Sequence, residues 1–249
     1  MHSFFRYLRD HDGVAGSAVA RELGVTLHRE RRLIELGVLD RPAHRVLRST
    51  TFPETWKQRC RLATMGPGNG VISHASAIRL HDLEGCDDDD RVHLLCRKGS
   101  WPGAPGDIFT HFTRGLSEDD VVDIDGIPVL SVPSTLALLR AHASESATAR
   151  ALISALRKGW SVTEIQRVAQ RWQSRGRPGP SFVIEALDRA QREVSASGVN
   201  RSKHLVSSRP RIESLFGDLS GHFIPTITRA DFSGSLTKTI GNNLSQLFR

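Results

Sequence analysis

The sequence predicts an α+β protein made of three parts, residues 1–52, 53–194 and 195–249. Three observations support this fold class. Near the N-terminus, two short helical stretches joined by a glycine precede a hairpin. The middle of the chain holds strand-like apolar runs, which we expect to form a small antiparallel sheet, and helical periodicity dominates from Pro133 onward. Residues 195–249 are mostly polar, so we expect a linker and a poorly ordered tail.

The N-terminal part begins with three expected helices. The apolar residues of Phe4–Arg9 predict the first helix. Ser17 can cap the second, and Gly24 ends it, because glycine readily adopts the positive φ required just past a helix end. Thr26 can cap the third helix, which ends at Gly37. Two short helices joined by a turn that contains glycine are typical of a helix-turn-helix.

A β-hairpin is expected directly after these helices. We predict strands at Val38–Leu39 and His44–Arg48, joined by a polar turn at Asp40–Ala43. Such a hairpin is the wing of a winged helix-turn-helix, which we assign to residues 1–52.

Basic residues are concentrated in this part of the chain. Six arginines oppose three acids between Val25 and Arg48. In a helix-turn-helix the N-terminal residues of the second helix enter the major groove of DNA, and arginine binds either guanine edges or phosphates. The alternative is that these arginines form only the solvated face of an amphipathic helix. The expected DNA-binding residues are His28, Arg29, Arg31 and Arg32 on the helix and Arg41, Arg45 and Arg48 on the wing.

Glu30 departs from the usual pattern of such a helix. Most helices of this kind place an apolar residue at that position, against the preceding helix. We therefore expect Leu27, Leu33 and Ile34 to provide the packing of this helix.

Composition restricts the partners and the compartment. The chain has 249 residues, a net charge of +7 and a sequence pI of about 10.0, so an anionic partner such as nucleic acid is expected. No apolar run reaches the ~20 residues of a membrane span, and the first residues lack a signal-peptide pattern. Cys60, Cys86 and Cys96 contain no close pair, which favours reduced thiols and a cytoplasmic location.

The middle part is expected to combine strands with helices. Val92–Cys96 should pair with Asp107–Phe112 across a Pro/Gly-rich loop, and the Asp125-Gly126 pair should turn a hairpin. Between Arg140 and Arg192, ten Lys/Arg oppose four Asp/Glu, which either extends a nucleic-acid surface or is the wet face of amphipathic helices. The expected helices are Ser134–Ala143, Ser146–Lys158, Ser161–Arg175 and Ser181–Glu193.

A series of short motifs follows the N-terminal part in a characteristic order. They are Ser73-His-Ala-Ser-Ala77, a strand pair, Gly126-Ile-Pro-Val129, and a helix start with Ser131-Val132 and Thr135-Leu136. Together with the winged-helix head, this order resembles the AbiEi family, the antitoxins of type IV toxin-antitoxin systems, over residues 10–195. The resemblance implies a cytoplasmic regulator that binds double-stranded DNA at its own promoter and represses it. It also implies a second domain that counters a nucleotidyltransferase-like toxin without a direct complex.

Two positions depart from the family pattern. The family helix carries an arginine just before the Thr-Leu pair and an aspartate shortly after it. Ser134 and Leu138 occupy those positions in this chain. An antitoxin role that depends on the Arg-Asp pair is therefore weakened.

The C-terminal part resembles the beginning of a further domain. Many long relatives continue into a Vsr-like endonuclease-fold domain, and Arg211–Phe216 and Ala230–Phe232 resemble its first two pieces, with Glu213 and Asp231 as the matching carboxylates. A metal-dependent phosphodiester cut requires clustered carboxylates, and the second acidic strand is missing. We therefore interpret residues 195–249 as a linker and a truncated remnant, and the protein as not an enzyme.

Other site chemistries find little support in the sequence. His74, His81 and His93 lie near Cys86 and Cys96, but zinc sites normally contain close ligand pairs such as Cys-x-x-Cys. We therefore expect capping or core histidines, no metal and no cofactor. The sequence contains no Gly-x-Ser-x-Gly, Rossmann or Walker pattern.

The predicted function is that of a sequence-specific, antitoxin-like DNA-binding regulator, of undetermined oligomeric state. One alternative is a Vsr-like, metal-dependent endonuclease, which magnesium-dependent nicking lost in Glu213→Ala or Asp231→Ala would favour. The other alternative is a protein-interaction module whose basic helices bind an acidic toxin. Co-purification with such a partner, without any binding to DNA, would favour this module.

Overall fold

A computed structural model describes residues 2–66, 69–86, 89–100, 108–173 and 178–200. The protein is α+β, with helices and two β-sheets among these residues. The expected tail beyond Asn200, with the candidate carboxylates Glu213 and Asp231, lies outside the described residues, as does most of the loop before Ile108.

The chain divides into two compact units. The first comprises Met1–Leu80 and Asp88–Ser131 and holds both sheets, and the second comprises His81–Asp87 and the chain from Val132 onward. The strands and the later helices of the expected middle part, residues 53–194, therefore belong to different units.

The first 50 residues contain six elements in the order helix, strand, two helices, two strands. They are α1 (His2–Asp10), β1 (Val14–Gly16), α2 (Ser17–Glu22), α3 (Leu27–Glu35), β2 (Leu39–Ala43) and β3 (Val46–Ser49). The strands form an antiparallel sheet in the order β1-β3-β2, in which Val14 lies opposite Arg48 and Leu39 opposite Ser49. The central strand β3 therefore pairs both with β1, which precedes α2 and α3, and with β2, which follows them.

Local signals for the helix ends are confirmed around α3. Thr26 Oγ1 accepts a hydrogen bond from the Arg29 amide at 3.3 Å and so caps the helix. Gly24 follows α2 with φ +82°, and Gly37 follows α3 with φ +68°. Both glycines adopt the left-handed conformation that other residues rarely take.

The expected cap of α2 is wrong. Ser17 is the first residue of the helix, and Gly16 is its N-cap without a side-chain hydrogen bond. The Ser17 amide donates to the Arg45 carbonyl oxygen at 2.8 Å. This bond to the hairpin satisfies one of the free amides at the helix start, where α2 has no side-chain cap.

The hairpin forms, but its turn lies further along the chain than expected. Asp40–Ala43, predicted as the turn, belongs to β2, and His44 and Arg45 make the turn, with Arg45 at φ +61°. Pro42 suggested a turn in the sequence. Proline is nevertheless tolerated on an edge strand, and β2 is at the edge of this sheet. The strand pairing is irregular between Asp40 and Ala43.

A buried apolar cluster holds these elements together. Leu33 and Ile34 pack against it from α3, as expected. The expectation that Leu27 packs there is wrong, since 56% of this residue is exposed. Leu27 is the first residue of α3 and extends past the cluster. The fully buried members are Phe4, Leu8, Ala15, Ala20, Val25, Leu39 and Leu47.

The second sheet follows in the same unit. The elements are α4 (Trp56–Thr64), β4 (Val71–Ile72), α5 (His74–Leu80), β5 (Val92–Arg97), β6 (Ile108–Thr113), a 3₁₀ turn (Glu118–Asp120), β7 (Val121–Ile124) and β8 (Ile127–Leu130). The strand order is β6-β5-β4-β8-β7, with β5–β6 and β4–β8 parallel and the other pairs antiparallel. The expected antiparallel sheet is therefore wrong, and the sheet is mixed. Apolar runs reveal where strands lie, but the path of the connections decides their direction.

The Asp-Gly turn between β7 and β8 is confirmed. Asp125 and Gly126 have φ +53° and +75°, as in a tight hairpin turn. The fully buried Arg61 on α4 donates to the Asp125 carbonyl oxygen at 2.7 Å and to the Asp12 carboxylate at 2.9 Å. This side chain therefore connects the hairpin of the second sheet to the segment that follows α1.

The second unit consists mainly of helices. They are α6 (Val132–Leu139), α7 (Glu145–Arg157), α8 (Val162–Trp172) and α9 (Pro178–Asn200). Ser144 and Ser161 cap α7 and α8 by accepting hydrogen bonds from the amides of Ala147 and Glu164. Helix α9 continues through Asn200, past the point where the linker was expected to begin.

Candidate nucleic-acid interface

Helix α3 presents a basic face to the solvent. The cap at Thr26 starts the helix, and Leu33 and Ile34 turn its other face toward the apolar cluster. Arg32 contacts Glu35 at 3.4 Å, but both side chains are more than 60% exposed, so this ion pair is weak and easily exchanged for another partner. The exposed basic residues of α3 are His28, Arg29, Arg31 and Arg32.

Glu30 is buried on the same helix. Only 1% of it is exposed, and Arg41 on β2 donates from Nη2 to its Oε1. The other carboxylate oxygen has no hydrogen-bond partner among the described residues. A buried carboxylate without a cation is costly, so Arg41 neutralises Glu30 and joins the hairpin to α3. Arg41, a predicted DNA contact, therefore has an internal partner.

Arg48 also has an internal partner. It lies opposite Asp40 in the hairpin, and its Nε donates to both carboxylate oxygens of Asp40 at 3.1 Å. Glu54 lies 3.8 Å from the same guanidinium. The hydrogen bond to Asp40 raises the pKa of Arg48 above its usual value, while partial burial acts in the opposite direction. Arg48 therefore links β3 to β2 through the Asp40 carboxylate.

Arg45 occupies the turn of the hairpin. Its side chain is exposed, and its carbonyl oxygen accepts the bond from the Ser17 amide that anchors the turn beside α2. Within the part of the chain that the structure describes, Arg45 forms no ion pair. Its guanidinium is therefore available to an external anion.

The seven predicted DNA-binding residues thus separate into two groups. Arg41 and Arg48 pair with the carboxylates of Glu30 and Asp40 and so hold the hairpin to α3 and β2 to β3, whereas the other five lie exposed on α3 and on the hairpin turn. The Glu30–Arg41 ion pair joins α3 to β2, the strand that leads into this turn. Arginines on such a surface can bind phosphate or base edges. The exposed group comprises His28, Arg29, Arg31, Arg32 and Arg45.

The second basic region has internal partners of its own. Lys158 contacts the Asp82 carboxylate at 2.7 Å, which lowers the pKa of Asp82, and Arg140 contacts Glu145 at 3.0 Å. These bonds lie inside the second unit. They stabilise that unit and reduce the positive charge available to an external anion.

The structure also joins residues that the sequence analysis did not connect. His74 and His93, which the sequence grouped with His81, Cys86 and Cys96, lie instead beside His111. The two strands expected from the sequence, Val92–Cys96 and Asp107–Phe112, already contained His93 and His111. In the register of β5 and β6, His93 lies opposite Phe109 and Leu95 opposite His111, so both histidines lie on the same face. Burial lowers the pKa of His93, while Asp89 acts in the opposite direction.

Comparison with protein-family models gives no match, and comparison with curated proteins gives no significant one. Among the residues described, no helix combines the length and the apolar composition needed to cross a membrane.

Proposed function

We propose that residues 1–52 form a winged helix-turn-helix and that the protein is a sequence-specific DNA-binding regulator of AbiEi antitoxin type. The observation that carries the proposal is the element order α1-β1-α2-α3-β2-β3, with strand order β1-β3-β2 and a basic outer face on α3. This order of elements is typical of winged helices. In these folds the second helix of the helix-turn-helix, here α3, enters the major groove.

The dimensions and chemistry of α3 support this proposal. Nine residues span about 13 Å, and a helix of ~10–12 Å diameter fits a major groove about 12 Å wide. Arg29, Arg31 and Arg32 supply bidentate donors for guanine or phosphate. The exposed Leu27 at the leading end of the helix suits a thymine methyl group. Arg45 on the wing reaches a flanking phosphate.

Repression of its own promoter rests on the resemblance to AbiEi proteins, and so does the action against a nucleotidyltransferase-like toxin without a direct complex. Ser134 and Leu138 bear on the second role. Ser134 is fully buried and accepts a hydrogen bond from Trp172 Nε1 at 3.2 Å, and Leu138 is buried too. Buried Ser134 and Leu138 therefore occupy the positions of the Arg-Asp pair of the AbiEi pattern. DNA binding is therefore the central element of the proposal.

A fluorescence anisotropy titration against the protein's own upstream DNA tests this function. The full chain is compared with Arg29→Ala/Arg32→Ala, across a salt series and against a scrambled duplex of equal length. The matched control is Arg6→Ala/Arg9→Ala, which removes the same charge from exposed positions on α1.

Wild type and control should prefer the promoter, with a log–log salt slope of about −0.9 per phosphate contact. The α3 variant should bind the promoter at least ~10-fold more weakly, because a good bidentate base contact contributes about 1–3 kcal/mol. Equal weakening in both variants would mean that only net charge matters. That result, or wild-type binding without promoter preference, would refute the proposal.

A further inference from the structure

Three buried histidines from three elements meet on one face of the second sheet. His74 is the first residue of α5, His93 lies on β5 and His111 on β6. None is more than 9% exposed. One ring nitrogen of each lies within 4.8 Å of one nitrogen of each of the others. The cluster lies in the first unit, on α5 and two strands of the second sheet.

The spacing of these nitrogens is close to that of a metal site. His93 Nδ1 lies 2.9 Å from His111 Nε2, and the His74 ring lies over the His111 ring with centroids 3.9 Å apart. Zinc binds imidazole nitrogen at about 2.0–2.1 Å, so nitrogens around a tetrahedral ion are about 3.4 Å apart. The nitrogen separations in the cluster, 2.9 Å for one pair and at most 4.8 Å for all, include that spacing.

The outer nitrogens of two of these rings have partners that would orient them. Asp89 Oδ2 lies 2.9 Å from His93 Nε2, and Ser73 Oγ lies 2.9 Å from His74 Nδ1. Arg91 holds Asp89 through both of its carboxylate oxygens at 3.0 Å. In metal proteins the second ring nitrogen of a ligating histidine commonly donates to a carboxylate or another acceptor, which fixes the tautomer. With these partners on Nε2 of His93 and Nδ1 of His74, the ring nitrogens assigned to an ion are His93 Nδ1 and His74 Nε2.

We propose that His74, His93 and His111 bind a divalent transition-metal ion of the zinc type, and that Asp89 is a positioning residue for His93. Three neutral imidazoles without a thiolate suit Zn²⁺, Ni²⁺ or Cu²⁺, and they supply three of the four positions that zinc prefers. The ion would join α5, β5 and β6, so its binding stabilises the first unit. This inference does not depend on the proposed DNA binding.

Metal binding is measured on the full chain without a polyhistidine tag, after dialysis against a chelator. Elemental analysis after Zn²⁺ loading and competition with a chromophoric chelator give the stoichiometry and the affinity. Co²⁺ serves as a spectroscopic probe, because its visible absorption reports coordination by protein nitrogen. The expected result is one Zn²⁺ per chain, a visible Co²⁺ spectrum, and a rise in the melting temperature with added Zn²⁺.

Three variants and one control locate the ion. His111→Asn and His93→Gln should each weaken Zn²⁺ binding by at least about 100-fold. Asp89→Asn should weaken it by about 10–100-fold, as is typical of an outer partner. His2→Asn, at an exposed position on α1, should bind Zn²⁺ like wild type. Circular dichroism confirms folding, and His111→Asn, at the least buried of the three histidines, remains the test if His93→Gln does not fold.

Two results would overturn the proposal. The first is wild type that binds less than one Zn²⁺ per chain and shows no shift in melting temperature, which would identify the cluster as a hydrogen-bonded polar network. The second is a bound ion whose affinity is the same in His111→Asn and in wild type, which would place it elsewhere. DNA affinity is measured on the same samples, so failure of this site is distinguished from failure of the proposed regulator.

Discussion

Removal of Arg41 should destabilise the first unit, because it leaves the Glu30 carboxylate buried without its cation. A buried group that loses its partner costs about 1–3 kcal/mol, and more when it is charged. Arg41 is 47% exposed, so water already screens part of this attraction. We therefore expect Arg41→Met to lower the free energy of unfolding by about 2 kcal/mol, or the melting temperature by about 4–8 °C for a chain of this size.

A double-mutant cycle isolates this ion pair from other effects of substitution. Glu30→Leu removes the buried charge and leaves Arg41 at the surface, where water can hydrate it, so its effect should be within about 1 kcal/mol of zero. Glu30→Leu/Arg41→Met should be close to wild type for the same reason. The coupling energy of the pair should then be about 2 kcal/mol. Arg32→Met is the matched control, because it breaks the exposed pair with Glu35 and should change stability by less than about 0.5 kcal/mol.

Urea unfolding followed by circular dichroism measures all four members of the cycle and the control. Promoter affinity is measured in parallel, and the double variant should bind DNA like wild type, because Arg41 acts inside the protein. A loss in Arg41→Met no larger than that in Arg32→Met would refute the assigned role of the pair. So would a double variant that is as unstable as Arg41→Met alone.

Three further substitutions test the interior. Burial raises the pKa of the Cys60 thiol to about 12, so folding disfavours its ionisation, and wild type should lose up to about 1.4 kcal/mol per pH unit relative to Cys60→Ala as pH rises above 9. Urea unfolding at several pH values measures this, and an equal pH dependence of the unfolding free energy in wild type and Cys60→Ala would contradict it. Arg61→Met should lower the unfolding free energy by about 2 kcal/mol, because it removes the ion pair with the partly buried Asp12 carboxylate and the hydrogen bond to the Asp125 carbonyl oxygen. A loss below about 1 kcal/mol would refute it. Gly85→Ala should destabilise by at least ~2 kcal/mol, since φ is +116° and a Cβ would lie 2.5 Å from the Ala147 carbonyl oxygen. Gly99→Ala, at φ +93° in open space, is its control and should lose less in thermal unfolding.

The features that the sequence predicted correctly depend on neighbours along the chain. Thr26 caps α3 through the amide three residues later, and Gly24 and Gly37 end helices through their own φ. The Asp125-Gly126 turn is equally local. The turn between β2 and β3 was predicted too early in the chain and shows the limit of local signals. Pro42 is tolerated in a strand because β2 is at the edge of its sheet. Whether a strand lies at the edge or in the centre of a sheet depends on which strands pair with it, and the local sequence does not show this pairing.

The same distinction separates the two candidate sites. The basic face of α3 follows from helical spacing, so its exposed arginines could be predicted from the sequence, whereas the internal roles of Arg41 and Arg48 depend on where the hairpin lies. The histidine cluster depends on the parallel register of β5 and β6, and an antiparallel pairing would not align His93 and His111 in the same way. Close ligand pairs along the chain are absent, so the sequence predicted no metal site, whereas strand pairing brings His93 and His111 onto one face of the sheet. Side chains two residues apart in a strand lie on the same face of the sheet. Considering both the parallel and the antiparallel pairing of the two expected strands would therefore have shown that His93 and His111 can lie on one face.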